Sequence, residues 1–220
     1  MNTYINIHSH KQAGENEWCL QNLHQEFGNL QPRSYYSAGI HPRFINEKNV
    51  DQEIEKLKLA SNHKNVIAIG ECGLDRLCDV DFQLQTRIFI AQIIWANETA
   101  KPLIIHCVRA HQETLSLLKE YNRISPVIFH GFNNNADIAK MILQKGYYIS
   151  FGHSLLKPET SAVFSSVPLD FIFLETDDKG PDIIETYHRA AGIRNISIDD
   201  LTNQMKKNLL TVFKNNIYHE

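Results

Sequence analysis

The chain lacks the features that define several common classes of protein. No apolar stretch approaches the roughly 20 residues that a membrane-spanning helix needs, so we expect no membrane association. The net charge of −3 gives no overall basic surface for nucleic acid, which leaves only a local basic patch for such contacts. There is also no low-complexity segment, no phosphate-cradling glycine loop and no dinucleotide fingerprint.

Cysteine is scarce as well. The four cysteines show no CxxC spacing, and the chain is not a small secreted scaffold, so reduced thiols are expected rather than disulfides. The amino terminus carries no signal-peptide pattern, and a cytoplasmic location fits both observations. The length of 220 residues with a hydrophobic fraction of 43% predicts a single domain over residues 1–220.

The chain does contain five short apolar runs, each of which stops on a side chain that can bind a metal ion. Alternate residues of a strand face the same side, so His8 shares a face with His10, and Asp177 shares one with Glu175. A charged group such as Glu71 in an apolar context must be paired or bound to metal. The candidate metal ligands at the ends of the runs are His8, His10, Glu71, His106, His130 and Asp177.

Strands alternate with helices along the chain, which implies a parallel sheet. Eight candidate strands favour a (β/α)8 barrel similar to a TIM barrel, with its site at the carboxyl ends of the strands. Only 28 residues separate His10 from Gly39, so the first third should be abbreviated or distorted. We further expect the fourth strand to end at Glu71. Predicted helix caps are Asp51, Asp81, Asn134 or Asn135, and Ser197.

Mixed imidazole and carboxylate ligands suit Zn²⁺, Mn²⁺ or a similar divalent ion. Glu71 could bridge two ions, and Asp177 could also accept the proton of an attacking water, so the predicted chemistry is hydrolysis with Glu71 and Asp177 as catalytic groups. A single histidine at a strand end, such as His130, is more often a hydrogen-bonded structural residue, but six such residues in phase on separate strands favour metal ligands. His41 and His153 also lie near strand ends and are interpreted either as substrate contacts or as residues that shape a turn or support a metal ligand.

The order of these motifs resembles the TatD family of metal-dependent deoxyribonucleases, which belongs to the amidohydrolase-like barrels. The resemblance rests on His8-Ser9-His10, Gly39-Ile40-His41-Pro42, Gly70-Glu71-Cys72-Gly73-Leu74-Asp75, Ile105-His106, His130-Gly131-Phe132 and Glu175-Thr176-Asp177. It implies two divalent ions (zinc, manganese or magnesium), with His8, His10 and Asp177 on one, His106 and His130 on the other, and Glu71 shared. It also implies hydrolysis of DNA, often as an exonuclease acting on single strands.

The chain departs from the family pattern around the predicted metal ligands. Asn6 stands where the family commonly has aspartate, Arg76 replaces an aromatic residue, and Arg109 is displaced by one position. Hydrolysis of a small phosphoester, amide or lactone is therefore the alternative to hydrolysis of DNA. A third hypothesis is a barrel that binds a partner or a metal without turnover. The candidate substrate-binding residues are His41, Arg76, Arg109 and His153.

Overall fold

The computed structural model of the protein describes residues 3–24, 27, 30–32, 34–178 and 182–214. These residues form two compact units. The first unit is built from described residues between 3 and 21 and between 128 and 214, and the second from those between 22 and 127. The prediction of a single domain over residues 1–220 stays a prediction.

The first unit contains strands from both ends of the chain. These strands are β1 (Tyr4–Ser9), the start of β2 (Glu17–His24), most of β6 (Val127–Phe129), β7 (Tyr148–Phe151) and β8 (Ile172–Leu174). β1 pairs in parallel with β2, β6 with β7, and β7 with β8. A parallel bridge between Ser9 and Asp177 places the end of β1 beside the end of β8, so the first and last strands meet. The helices of this unit are α4 (Ala136–Leu143), α5 (Pro158–Ser166), α6 (Ile183–Arg194) and α7 (Ile198–Phe213).

The second unit repeats the strand and helix alternation. Its strands β3 (Tyr35–Gly39), β4 (Val66–Asp75) and β5 (Leu103–Val108) pair in parallel in that order. The helices α1 (Val50–Ser61), α2 (Phe82–Thr99) and α3 (His111–Tyr121) follow β3, β4 and β5 in turn. Aliphatic side chains from β3, α1, β4 and α2, including Ala38, Leu57, Val66 and Ile88, form a buried core.

The abbreviated first third is confirmed, because the described residues between His10 and Ser34 contain no helix. Two other expectations are wrong. β4 does not end at Glu71 but continues to Asp75, since Gly70 and Gly73 adopt φ values of 147° and 143° that other residues rarely accept. Asp51 lies inside α1, which begins at the buried Val50 with Asn49 as its N-cap.

The other predicted helix starts are confirmed. The side chain of Asp81 accepts a hydrogen bond from the Leu84 amide at the start of α2. Asn135 caps α4, and Ser197 caps α7 in the same way. Among the helices that the structure describes, none is both long enough and apolar enough to cross a membrane.

Candidate metal centre

The first unit brings together three of the predicted ligands, His8, His10 and Asp177. The Asp177 carboxylate oxygen Oδ1 lies 3.5 Å from Nε2 of His8 and 3.3 Å from Nε2 of His10. One ligand atom of each residue lies within 4.8 Å of those of the other two. We call these residues the His8–His10–Asp177 cluster.

The backbone beyond β8 holds Asp177 at the end of β1. The Asp177 amide donates to the carbonyl oxygen of His8 at 3.1 Å, and the His10 amide donates to the carbonyl oxygen of Asp177 at 3.4 Å. Asp177 itself adopts a left-handed conformation with φ of 54°. Aspartate tolerates this conformation better than most residues, and it turns the carboxylate toward the two imidazoles.

The spacing of the atoms suits a common cation. A zinc ion binds histidine nitrogen at about 2.0–2.1 Å, so two ligands of a tetrahedral site lie about 3.4 Å apart. The observed 3.3 and 3.5 Å match this spacing. They are longer than the usual N–H···O distance of about 2.9 Å. The cluster therefore fits a divalent ion better than a pair of strong hydrogen bonds.

The electrostatics of the cluster keep Asp177 ionised. Burial alone would raise the pKa of its carboxyl group, but the imidazoles of His10, His8 and His130 beside it hold that pKa well below its usual range. The carboxylate is therefore available as a charged ligand near neutral pH.

His130 follows β6 and also lies in the first unit. Its ring centroid lies 4.2 Å from that of His8, and its Nδ1 lies 3.7 Å from Oε1 of Glu175. Glu175 is buried, and its other carboxylate oxygen accepts a short hydrogen bond from Ser150. Sequence reasoning placed Glu175 in phase with Asp177 but gave it no role, although its position after an apolar strand was the available signal.

The second unit holds the other predicted ligands, Glu71 and His106, together with His41. Oε1 of Glu71 lies 2.8 Å from Nδ1 of His106 and 3.1 Å from Nε2 of His41. Asn22 supports this arrangement, because its side chain donates to Oε2 of Glu71 at 3.4 Å and accepts from the Glu71 amide at 3.3 Å. We call the three residues the His41–Glu71–His106 cluster.

The two imidazoles that face Glu71 differ in their second nitrogen. Nδ1 of His41 accepts a hydrogen bond from the Arg43 amide at 3.1 Å, so a neutral His41 carries its proton on Nε2 and donates it to Glu71. Nε2 of His106 instead faces Oδ2 of Asp75 at 3.1 Å. His41, predicted as a substrate contact, is thus placed against the predicted ligand Glu71.

Asp75 is the functional candidate that sequence reasoning missed. Its carboxylate is fully buried at the end of β4 and accepts from Arg43 Nε and the Leu77 amide, each at 2.8 Å. Burial would raise the pKa of Asp75, but the bonds with His106, Arg43 and Leu77 hold it well below its usual range. Its place in the Gly73-Leu74-Asp75 motif was the only signal in the sequence.

The remaining predicted substrate residues are exposed. Arg76 forms a short ion pair with Glu113 and stacks over the ring of Phe82, with 4.0 Å between its guanidinium carbon and the ring centroid. Arg109 follows β5 with φ of 51°, and His153 begins a 3-10 turn after β7. Their binding roles stay predictions.

Comparison with known proteins places the chain in a family. A family model described as TatD-related DNase matches residues 13–214. The chain belongs to this family. It is 33% identical over 195 residues to an uncharacterised metal-dependent hydrolase of Buchnera aphidicola, a match that covers 80% of this chain and 73% of that protein. A TATDN1 homologue of Vairimorpha ceranae is 34% identical over 155 residues, covering 69% and 55% of the two chains. The chain thus spans little more than half the length of some TatD relatives.

The TatD fold is also found among solved structures. The crystal structure of YjjV, a TatD homologue from Escherichia coli K12, superposes with a TM-score of 0.75 and 26% identity over 82% of this chain and 77% of YjjV. Together with the parallel strand pairs and alternating helices described above, this confirms the predicted (β/α)8 barrel class.

Proposed function

We propose that this TatD-family chain is a hydrolase that depends on divalent metal ions and cleaves phosphodiester bonds, with DNA as its substrate. The observation that carries the proposal is the His8–His10–Asp177 cluster, whose imidazole nitrogens and ionised carboxylate converge at distances that suit one cation. Membership of a family described as TatD-related DNase supports the nuclease activity.

Each unit contains imidazole and carboxylate groups that can bind zinc, manganese or magnesium. His8, His10 and Asp177 would hold one ion. Glu71 and His106 would hold another ion, and His130 stays a predicted ligand. Two such ions supply a metal-activated water and stabilise the charge of the leaving oxygen. Imidazole-rich sets favour zinc or manganese over magnesium.

The side chains of the protein supply positioning and proton transfer. With 41% of its side chain exposed, the Asp177 carboxylate can meet a water molecule beside His8 and His10 and accept its proton. Glu71 is buried and held by Asn22 and His41, which limits it to one orientation. Asp177 is therefore the proposed general base, and Glu71 is the proposed anchor of the metal site.

Two findings bear on the substrate. The relative from Vairimorpha ceranae is named as a candidate deoxyribonuclease, which favours DNA. Arg76, however, is engaged by Glu113 and Phe82, and the chain carries a net charge of −3. These features favour the second candidate function, hydrolysis of a small phosphoester, amide or lactone, because a bound strand of DNA needs several cationic contacts.

The test is hydrolysis of an end-labelled single-stranded oligonucleotide by the full chain reloaded with Mg²⁺, Mn²⁺ or Zn²⁺. Asp177→Asn should lower the rate about 10²- to 10⁴-fold, since it removes a positioned proton acceptor. Glu71→Gln should lower metal occupancy and abolish cleavage while the circular dichroism spectrum is retained. Asp137→Asn, which changes an exposed carboxylate at the start of α4, is the matched control and should leave the rate unchanged.

The outcomes separate the two candidate functions. Cleavage that shortens the oligonucleotide stepwise and disappears in Asp177→Asn would support a metal-dependent nuclease. Turnover of a small phosphodiester without cleavage of the oligonucleotide would favour the second candidate. Full metal occupancy with no hydrolysis of either substrate would refute both.

A further inference from the structure

His106 lies between two carboxylates, one at each ring nitrogen. Its Nδ1 is 2.8 Å from Oε1 of Glu71, and its Nε2 is 3.1 Å from Oδ2 of Asp75. Carboxylate oxygens that are ionised only accept hydrogen bonds, whereas a neutral imidazole carries one N–H and one lone pair. A neutral His106 can therefore donate to only one of its two neighbours.

Asp75 is held more closely than Glu71, because its donors Arg43 and Leu77 lie at 2.8 Å, whereas Asn22 and His41 lie 3.4 and 3.1 Å from the Glu71 carboxylate. Arg43 and the Leu77 amide donate to its carboxylate, and the side chain of Gln85 holds its backbone at both ends. The Gln85 oxygen accepts from the Asp75 amide at 2.8 Å, and the Gln85 nitrogen donates to the Asp75 carbonyl at 3.1 Å. Because these contacts keep Asp75 ionised and immobile, the proton of a neutral His106 belongs on Nε2.

The other nitrogen of His106 then directs its lone pair at Glu71. Two acceptors 2.8 Å apart repel each other unless a proton or a metal ion lies between them. His41 approaches the same carboxylate as a hydrogen-bond donor, because its Nδ1 is used by the Arg43 amide.

We propose that Asp75, held by Arg43, is a positioning residue that keeps the proton of His106 on Nε2 and presents Nδ1, together with Glu71, to a divalent cation. Arg43 contributes twice, since its amide fixes His41 as a donor and its side chain fixes Asp75. This inference rests on the proposed metal role of Glu71 and His106, and it adds the reason why His106 binds through a particular atom.

The test uses the full chain labelled with ¹⁵N-histidine and loaded with ¹¹³Cd²⁺, a spin-active substitute for zinc. One-bond coupling between the cadmium and Nδ1 of His106 is expected, with Nε2 remaining protonated. Coupling through Nε2 would overturn the inference while leaving a metal role for His106. Absence of cadmium coupling to His106, at full occupancy of both sites, would overturn the proposed metal role as well.

The variants test the positioning itself. Asp75→Asn should weaken cadmium binding about 10- to 100-fold, the usual effect of losing a partner that orients a metal ligand. Asp79→Asn, at an exposed position four residues further on, is the matched control and should bind cadmium like the parent. Unchanged affinity in a folded Asp75→Asn protein would refute the role of Asp75.

Arg43→Gln provides an independent variant should Asp75→Asn fail to fold. It leaves the Asp75 carboxylate in place and removes the Nε donor at an arginine whose side chain is half exposed. We expect a smaller loss of cadmium affinity and retained coupling to Nδ1. Wild-type affinity in Arg43→Gln would show that Arg43 does not hold Asp75 in its working position, and the inference as stated would fall.

Discussion

Replacement of Gln85 by leucine should destabilise the second unit severely, although Gln85 is neither a predicted ligand nor a charged residue. Gln85 lies on α2 with 1% of its surface exposed. Its side chain accepts from the Asp75 amide and donates to the carbonyl oxygens of Asp75 and Val80, the last at 2.8 Å. Leucine fills a similar volume but offers no hydrogen bond.

The magnitude follows from the groups that lose their partner. Three backbone groups, the amide and carbonyl of Asp75 and the carbonyl of Val80, would lose the hydrogen bonds that Gln85 makes. Each buried polar group left without a partner costs about 1–3 kcal/mol. Such effects are not fully additive, so the expected loss in the free energy of unfolding is about 3–5 kcal/mol. That is a large part of the roughly 5–15 kcal/mol that stabilises a typical domain.

The assay is urea unfolding of the metal-free protein, followed by circular dichroism. Gln83→Leu is the matched control, because Gln83 lies on the same helix two residues earlier and is exposed. Substitutions at such surface positions usually change stability by no more than about 0.5 kcal/mol. A loss below about 1 kcal/mol in Gln85→Leu, or an equal loss in both variants, would refute the reasoning that Gln85 holds Asp75.

Two further predictions concern the same unit. Gly73→Ala should destabilise the protein by about 3 kcal/mol or more and lower its cadmium affinity. The reason is that Gly73 has φ of 143° and that a Cβ atom there would overlap the carbonyl oxygen of His106. Gly192→Ala, in α6 with open space around it, is the control in the same unfolding and binding assays. Burial lowers the pKa of Lys101 to about 8, below its ordinary value of about 10.4, so the folded protein binds fewer protons than the unfolded chain between these values. The free energy of unfolding should therefore rise with pH across this window, and Lys101→Met should lose this rise. Urea midpoints of both proteins at about pH 7.5 and 10 measure the effect. An equal change of midpoint with pH in the two proteins would contradict the prediction.

The grouping of the predicted ligands His8, His10 and Asp177 followed from the sequence because strand alternation is a local property. His8 and His10 lie two residues apart at the end of β1, and the structure places both beside Asp177. The sequence phase also put Glu175 on the side of Asp177, and both lie near His130. The left-handed turn at Asp177 was not readable, since it depends on backbone bonds to His8 at the other end of the chain.

Contacts between distant segments account for what the sequence could not show. Asp75 meets Arg43 and His106, which lie 32 and 31 residues away, and no periodicity links them. The extension of β4 beyond Glu71 depends on two glycines with positive φ, whereas an apolar run that meets a charged residue ordinarily predicts the end of a strand. The contact of Arg76 with Glu113 depends in the same way on how α3 follows β5.

Exposure, more than charge, separates the roles of the two aspartates. Hydrogen bonds and nearby imidazoles lower the pKa values of both Asp75 and Asp177, so both are carboxylates near neutral pH. The Asp75 side chain is fully buried, and its oxygens are used by Arg43, Leu77 and His106, which leaves no room for a reacting water. The Asp177 side chain is 41% exposed and can meet one. Loss of the Asp75 carboxylate should therefore act through metal affinity, and loss of the Asp177 carboxylate should also lower turnover in protein that is fully loaded with metal.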